Sequence, residues 1–366
     1  MSEENKSAIM MPKADDLILS SSPHIHSDVN VRKIMLKVIL ALVPALIASV
    51  IFFGWDAVRV IVITALSAVV AEGLWLWLAK RPLTPLRDLS ALLTGLLLAM
   101  NLPSNASWWI CVVGGFLAIW VGKQVFGGLG HNIFNPALVA RVALLIALPA
   151  AMTTWTPTGG LLEKNMRLPS GENVSITTVA ESETPAVISC ATPLGEAAEL
   201  KRTPNGAATF APITEKSDYV KYFLGERLGS LGETSCLALL IGGIALMFMK
   251  LIKWQIPIFF IATVAVFTAI VHLCAPAMTP PPLFHLLTGG LLLGAFFMAT
   301  DMVTSPMTTG GCILFGVGCG VITCVIRIWG GYPEGVSFSI LLMNALVPLI
   351  DRLFQLRPFG YVRKRA

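Results

Sequence analysis

Hydrophobic residues occur along the chain in ten long runs that are separated by shorter polar stretches. Runs of about 20 apolar residues predict bilayer-spanning helices, and the shorter, glycine-interrupted runs are typical of half-helices that meet at mid-membrane. We therefore predict an all-α polytopic membrane protein with about ten transmembrane helices. The runs are Ile34 to Phe53, Val58 to Ala79, Leu89 to Leu102, Ser107 to Val121, Pro136 to Met152, Cys236 to Met249, Gln255 to Cys274, Leu283 to Thr300, Cys312 to Ile328 and Val336 to Ile350.

The composition supports the bilayer as the solvent. Of the 366 residues, 55% are hydrophobic and 13% are charged. A soluble protein carries about 25% charged residues, so this chain lacks the charge to cover a water-exposed surface. A net charge of +5 leaves no dense cationic face, which excludes a nucleic-acid-binding module.

The segment from Met152 to Ser235 differs from both flanks. It is rich in Pro, Gly, Ser and Thr, and it carries ten acidic and seven basic residues. The Lys and Arg residues that flank the hydrophobic runs fall in alternate loops, which places both termini in the cytoplasm and this segment outside. We predict a cytoplasmic tail (1–30), a first membrane half (31–151), a periplasmic insert (152–235), a second membrane half (236–351) and a basic cytoplasmic tail (352–366), in a bacterial cytoplasmic membrane.

The two membrane halves repeat short motifs in the same order. Leu92-Leu93-Thr94-Gly95 recurs as Leu286-Leu287-Thr288-Gly289, and Asn135-Pro136-Ala137-Leu138 is echoed by Asn344-Ala345-Leu346. Each half has five predicted spans, and because five is odd the second half must enter the membrane from the opposite face. The pattern predicts two inverted five-helix repeats, an architecture found in proteins that hold a site at mid-membrane.

Polar residues in or beside the hydrophobic runs are the candidate functional groups. Asn132 and Asn135 bring two amides together at a glycine-rich turn, and paired amides offer the donors and acceptors that a heteroaromatic ring edge requires. Asp301 and Glu72 are carboxylates at membrane depth, where ionisable groups mark functional sites. Arg141 is a candidate partner of Glu72 or a snorkelling cation. Glu334 lies in a second glycine turn, and helix-end capping is the alternative role for all three sets, those of Asn132 and Asn135, of Asp301 and of Glu334.

Other sequence patterns exclude several chemistries and add one site. The seven cysteines form no C-x-x-C pair, and no phosphate loop follows a strand, so neither an iron–sulfur cluster, a zinc site nor a soluble nucleotide fold is indicated. In the insert, Ser189-Cys190-Ala191-Thr192 ends on a threonine among small side chains. Its hydroxyl is therefore open to a modifying enzyme.

Together these motifs resemble a known family over about residues 22–352. The Leu-Leu-Thr-Gly repeats, Gly-Gly-x-Gly-x-Asn-x-x-Asn-Pro-Ala, Ser-x-Ala-Thr-Pro-Leu, Thr-Asp-x-Val-Thr-Ser-Pro and Gly-Gly-Tyr-Pro-Glu-Gly-Val are similar to those of the D subunits of the Rnf ion-translocating oxidoreductase complexes. The resemblance implies covalent FMN, joined through its phosphate to Thr192 beside Ser189 and Ala191. Likeness to the related B subunit of the sodium-pumping NADH:quinone reductase implies riboflavin beside Asn132 and Asn135.

The same resemblance implies a role within a larger complex. Electrons pass between ferredoxin and NAD while Na⁺ or H⁺ crosses the membrane, and both redox partners react at other subunits. A flavin that gains an electron in a low-dielectric site favours a nearby cation or proton, for which Asp301 and Glu72 are the predicted ion-coupling groups. The alternative is an inverted-repeat solute channel or transporter without a redox role. Such a protein would not need an aqueous insert with an acceptor threonine.

Overall fold

The computed structural model describes residues 30–155, 165–167, 173–175, 192–202, 210, 213–214, 216–225, 227–332 and 334–355. The helices before the insert are α1 (Val31–Phe53), α2 (Trp55–Leu78), α3 (Ser90–Met100), α4 (Trp108–Phe116), α5 (Pro136–Ala147) and α6 (Pro149–Thr153). The insert contributes β1 (Asn165–Arg167), β2 (Asn173–Ser175), α7 (Pro193–Arg202) and α8 (Lys216–Leu224). They are followed by α9 (Cys236–Phe248), α10 (Gln255–Cys274), α11 (Pro282–Leu287), α12 (Leu291–Leu293), α13 (Thr309–Trp329) and α14 (Val336–Leu353).

Five of these helices are long and apolar enough to cross a membrane, namely α1, α2, α10, α13 and α14. Their outer faces carry large exposed apolar side chains, and the exposed charges lie towards the helix ends. On α2, Val62, Leu66 and Val70 recur every four residues and are exposed, whereas the small residues on the opposite face are buried. A stripe of this kind is stable against lipid and costly in water, so the chain is a multi-pass membrane protein.

The remaining apolar segments form short or interrupted helices. The eleven residues of α3 end before Asn101, and α4 continues as a π-helix over Leu117–Gln124. The predicted single span from Leu283 to Thr300 is broken between α11 and α12, where Gly289 adopts φ +73°, and α12 continues as a π-helix over Gly294–Met298. Glycine tolerates this left-handed conformation because it has no Cβ atom.

Small residues allow the helices to approach closely, as is common in membranes. α1 packs on α9 and so joins the two halves; a Cβ atom at Gly242 would lie 2.1 Å from the carbonyl oxygen of Ala41. α2 packs on α3 and α4 in the first half, and α10 packs on α13 in the second half. Gly316 and Gly320 of α13 lie against backbone carbonyls of α10.

The antiparallel strands β1 and β2 pair Asn165 with Ser175 and Arg167 with Asn173. The helices of the insert pack on the membrane portion through a small apolar cluster. Leu194 and Ala197 of α7, Tyr222 of α8 and Phe284 of α11 are buried together there. This packing fixes the start of α7 against the helical bundle.

Candidate functional site

A first cavity, the Thr192 cavity, lies where the insert meets the ends of several helices. The open space within it, including space continuous with solvent, is about 580 Å³. Aromatic, apolar and charged side chains share its wall. The lining residues are Asn101, Arg141, Leu145, Met152, Thr153, Trp155, Thr192, Pro193, Leu194, Leu228, Glu233, Gly289, Tyr332 and Glu334.

Thr192 is the N-cap residue of α7. Its Oγ1 accepts a hydrogen bond from the Gly195 N–H at 3.1 Å, and its carbonyl oxygen accepts one from the Glu196 N–H at 2.8 Å. The capping bond holds the hydroxyl at the positive end of the helix dipole. Thr192 is partly exposed and faces the cavity. Ser189 and Ala191, the other residues predicted here, lie outside the described residues.

Polar contacts also hold α7 in place. The Lys201 ammonium group donates a hydrogen bond to the Ile328 carbonyl oxygen at 2.6 Å, and burial lowers the pKa of Lys201. Burial also raises the pKa of Glu196, and the nearby Glu199 and Asp218 carboxylates raise it further. The insert helix thus has a defined orientation on the membrane portion, which fixes the position of Thr192.

Arg141 forms the charged centre of the Thr192 cavity. It is 7% exposed, and its Nη2 forms an ion pair with Oε2 of Glu334 and lies 3.7 Å from Oε1 of Glu233. Its Nη1 donates to Oδ1 of Asn101 at 2.7 Å. The suggestion that Arg141 pairs with Glu72 or snorkels is therefore wrong, because its guanidinium group instead faces carboxylates from two other segments.

A second cavity, the Asn132 cavity, lies at the other end of α3. Its open space, including space continuous with solvent, is about 820 Å³, and it brings together Asn132 and Asn135 of one motif with Asp301 of another. The lining residues are Ile34, Met35, Val38, Ser90, Leu93, Thr94, Leu97, Lys123, Leu129, Asn132, Asn135, Pro136, Leu246, Leu251, Ile252, Phe296, Phe297, Thr300, Asp301, Met302 and Val303.

The two asparagines of the Asn132 cavity differ in their bonding. Asn135 caps α5 by accepting the Ala137 N–H at 3.1 Å, and its Nδ2 donates to the Met298 carbonyl oxygen at 3.1 Å. Asn132 donates through Nδ2 to the Phe134 carbonyl oxygen at 3.2 Å, and its buried Oδ1 has no hydrogen-bond partner among the described residues. Asn132 therefore retains a buried acceptor, which a ligand donor would satisfy.

The two predicted ion-coupling carboxylates have different surroundings. Asp301 lines the Asn132 cavity, where its Oδ2 accepts a hydrogen bond from the Thr304 hydroxyl at 3.2 Å. Glu72 is buried and forms an ion pair with Lys123. Lys123 also donates to the Ser90 hydroxyl at 2.8 Å and lines the same cavity as Asp301. Glu72 thus contacts the cavity wall through Lys123.

A run of polar contacts lies between the two cavities. Asn101, bound by Arg141 in the Thr192 cavity, donates to the Leu97 carbonyl oxygen at 2.6 Å and contacts the Met298 sulfur at 3.7 Å. Leu97 lines the Asn132 cavity, and Asn135 binds the Met298 carbonyl oxygen. Both polar sites therefore border α3. The distance between their walls is less than the length of this helix, which is about 16 Å for eleven residues.

Sequence reasoning does not identify Asn101, Lys123 and Glu233 as parts of these sites. The charge pattern indicates Lys123 only as a cytoplasmic loop charge and Glu233 only as one of the acidic residues of the insert. Asn101, at the end of a hydrophobic run, carries a usable signal because an amide at that depth requires partners. Among the described residues, no group of three His, Cys, Asp or Glu side chains could hold a metal ion.

Apolar helices around two cavities that have charged and amide side chains in their walls define a polytopic membrane protein with internal polar sites. More narrowly, the chain belongs to the NQR2, RnfD, RnfE family, whose model matches residues 18–360. It is 44% identical to the D subunit of the ion-translocating oxidoreductase complex of Stutzerimonas stutzeri, over 90% of this chain and 92% of the relative.

Two further relatives differ in the ion that their names specify. The chain is 43% identical to the D subunit of the proton-translocating ferredoxin:NAD(+) oxidoreductase complex of Clostridium ljungdahlii, over 95% of this chain and 97% of the relative. It is 40% identical to the D subunit of the Na(+)-translocating ferredoxin:NAD(+) oxidoreductase complex of Acetobacterium woodii, over 95% and 96%. Similarity to these relatives does not distinguish the two ions.

Proposed function

We propose that this chain is the flavin-carrying membrane subunit of an Rnf-type complex, which couples electron transfer between ferredoxin and NAD to translocation of H⁺ or Na⁺. Family membership and the names of the relatives support the assignment. The other subunits of the complex would react with ferredoxin and NAD. The observation that carries the proposal is the position of Thr192, which caps the N-terminus of α7 and lines the Thr192 cavity.

Thr192 is the proposed site of covalent FMN, and its surroundings fit a phosphoester. The hydroxyl lies at the N-terminus of the ten-residue helix α7, where the helix dipole favours a phosphate anion. Trp155 and Tyr332 supply aromatic surface in the same cavity, and Arg141 supplies a cation. A covalent bond would keep the cofactor in place on the outer side of the membrane.

The Asn132 cavity is the proposed site of riboflavin. The unpartnered Oδ1 of Asn132 would accept a ring N–H, and Phe296 and Phe297 would contact the ring. Asn135 would act by position, because its amide fixes α5 to Met298. When bound, flavins supply one- or two-electron transfer. Arg141 and Lys123, one in the wall of each cavity, would stabilise negative charge there.

We further propose that the two halves are inverted repeats. The repeated Leu-Leu-Thr-Gly motif lines different cavities, since Leu93 and Thr94 face the Asn132 cavity and Gly289 faces the Thr192 cavity. α3 runs from the Asn132 cavity towards the Thr192 cavity, whereas α12 and its π-helix run the opposite way. Together with the charge pattern of the loops, this supports ten spans with both termini in the cytoplasm.

The echoed asparagines provide further support for the repeat. With the Asn344 amide nitrogen facing the carbonyl oxygens of Ile340 and Thr304, its Oδ1 accepts the Asn135 N–H at 3.2 Å. Corresponding residues of two repeats meet in this way when they lie close to the axis that relates the halves.

The experiment compares the covalent flavin of wild type with that of Thr192→Ala. Thr153→Ala is the matched control, because Thr153 lines the same cavity and its hydroxyl donates to the Pro149 carbonyl oxygen. In a host with flavin transferase, wild type and Thr153→Ala should fluoresce in a denaturing gel and be heavier than the bare chain by ~438 Da. Thr192→Ala should be dark and unmodified. A dark wild-type band would instead favour the transporter.

A further inference from the structure

Glu233 is a buried carboxyl group without a hydrogen-bond partner at one of its oxygens. It ends the short 3-10 turn Leu231–Glu233 before α9, is 4% exposed and lines the Thr192 cavity. Its Oε1 makes no hydrogen bond with the described residues and lies 3.7 Å from the nearest Arg141 nitrogen. An ionised carboxylate that is buried with such weak compensation is costly, by several kcal/mol in general.

Glu334 is better compensated. Its Oε2 forms the ion pair with Arg141, and its Oε1 accepts the Gly290 N–H. The Arg141 guanidinium group therefore compensates mainly the charge of Glu334, although the same Nη2 also faces Glu233. The two carboxyl groups face the same point: a Cβ atom on Gly290 would lie 2.9 Å from Oε1 of Glu334 and 3.5 Å from Oε1 of Glu233.

The other charged and titratable groups around Glu233 do not substitute for an ion pair with Arg141. Arg327 of α13 donates to the carbonyl oxygens of His285 and Thr288. Arg227 of the insert is buried beside the Cys236 thiol, and its Nε and Nη1 have no acceptor among the described residues. Within the described part of the chain, neither arginine comes within ion-pair distance of the two carboxyl groups.

We propose that Glu233 and Glu334 form a carboxyl pair that binds one exchangeable proton in the Thr192 cavity. Glu233 carries the proton and donates it in a hydrogen bond to Glu334, which stays ionised beside Arg141. Two carboxylates this close in a low-dielectric site do not both ionise easily. Release of the proton leaves both groups charged, with Arg141 as the one arginine within ion-pair distance among the described residues, and uptake restores the pair. The site does not depend on a flavin, so it stands or falls separately from the proposed function.

Infrared difference spectroscopy of the purified complex during a pH titration tests the proposal. The carbonyl stretch of a protonated carboxyl group should be present at neutral pH, shift in D₂O and disappear in alkali. Glu233→Gln should abolish it. In Glu334→Gln the band should be absent or should disappear at a lower pH, because Glu233 is then the one carboxyl group of the pair that faces Arg141. Glu199→Gln, at an exposed residue of α7, is the matched control and should change neither band nor titration.

Each outcome decides the proposal. Loss or displacement of one carboxyl band in both variants supports a shared proton. A full wild-type band in Glu334→Gln overturns sharing, and an unchanged band in Glu233→Gln overturns the site. If Glu233→Gln does not fold, as judged by size-exclusion chromatography, Glu334→Gln carries the test alone. The assignment would also be overturned if the band changed with Na⁺ concentration at constant pH and did not respond to pH. That result would show that the pair binds a metal cation.

Discussion

Replacement of Arg141 by methionine should strongly destabilise the membrane portion. Methionine keeps much of the side-chain volume but removes the ion pair to Glu334, the contact to Glu233 and the hydrogen bond to Asn101. If the two carboxyl groups share a proton, one negative charge is left in the buried site, with the Gly290 N–H and the protonated Glu233 as its remaining donors. Removing one partner of a buried pair typically costs about 3–5 kcal/mol, so we expect a loss of that size for Arg141→Met.

Arg59→Met is the matched control for this prediction. Arg59 pairs with Asp56 one turn away at 3.4 Å, but both side chains are about half exposed. Exposed pairs contribute about 0–1 kcal/mol, so Arg59→Met should have little effect. Arg141→Met/Glu334→Gln should be more stable than Arg141→Met alone, because the double change also removes the uncompensated charge.

Titration of the purified protein with SDS in mixed micelles, followed by tryptophan fluorescence, gives the free energy of unfolding for each variant. The reasoning is refuted if Arg141→Met lies within about 1 kcal/mol of wild type. It is equally refuted if the loss in free energy of unfolding of the double variant equals the sum of the losses of the two single variants. Either result would mean that water or a neighbouring group compensates the carboxylates in the absence of the guanidinium group.

Two further predictions concern ion coupling and packing. Asp301→Asn and Glu72→Gln should lower ion transport into proteoliposomes more than electron transfer in the intact complex, because both carboxylates lie in or behind the wall of the Asn132 cavity. Equal losses of the two activities, or no loss, would contradict an ion-coupling role. Gly242→Ala should cost about 1–3 kcal/mol in the same SDS titration, because its Cβ would lie 2.1 Å from the Ala41 oxygen. Gly73→Ala is the control and should cost nothing, because the atom nearest to its added Cβ lies 3.7 Å away. Similar losses of stability in both variants would show that helix packing is not the cause.

The hydrophobic pattern predicted the long helices well because length and apolar content alone decide whether a segment suits the bilayer. The predicted run from Gln255 to Cys274 has the same bounds as α10. The run from Leu283 to Thr300 shows where the pattern fails. Most of its residues are apolar, but the backbone breaks at Gly289, and a hydropathy count does not register a left-handed φ angle.

The sites were predictable only in part, for a related reason. Motifs indicate which residues are unusual at membrane depth, and three residues indicated in this way, Asn132, Asn135 and Asp301, line one cavity, while their roles there stay predictions. Pairing depends on how distant segments fold together. The partner of Arg141, Glu334, lies 193 positions away, and no periodicity relates the two. The intramembrane carboxylate suggested as its partner, Glu72, instead pairs with Lys123.

The position of Arg141 links the fold to the proposed chemistry. It lies on α5 of the first half, whereas Glu334 lies between α13 and α14 of the second half, so their ion pair joins the halves at the wall of the Thr192 cavity. Its bond to Asn101 continues this contact towards Met298, which Asn135 binds from the Asn132 cavity. A change of charge in the Thr192 cavity would therefore act on a guanidinium group that forms an ion pair across the two halves and is connected by hydrogen bonds to the wall of the Asn132 cavity.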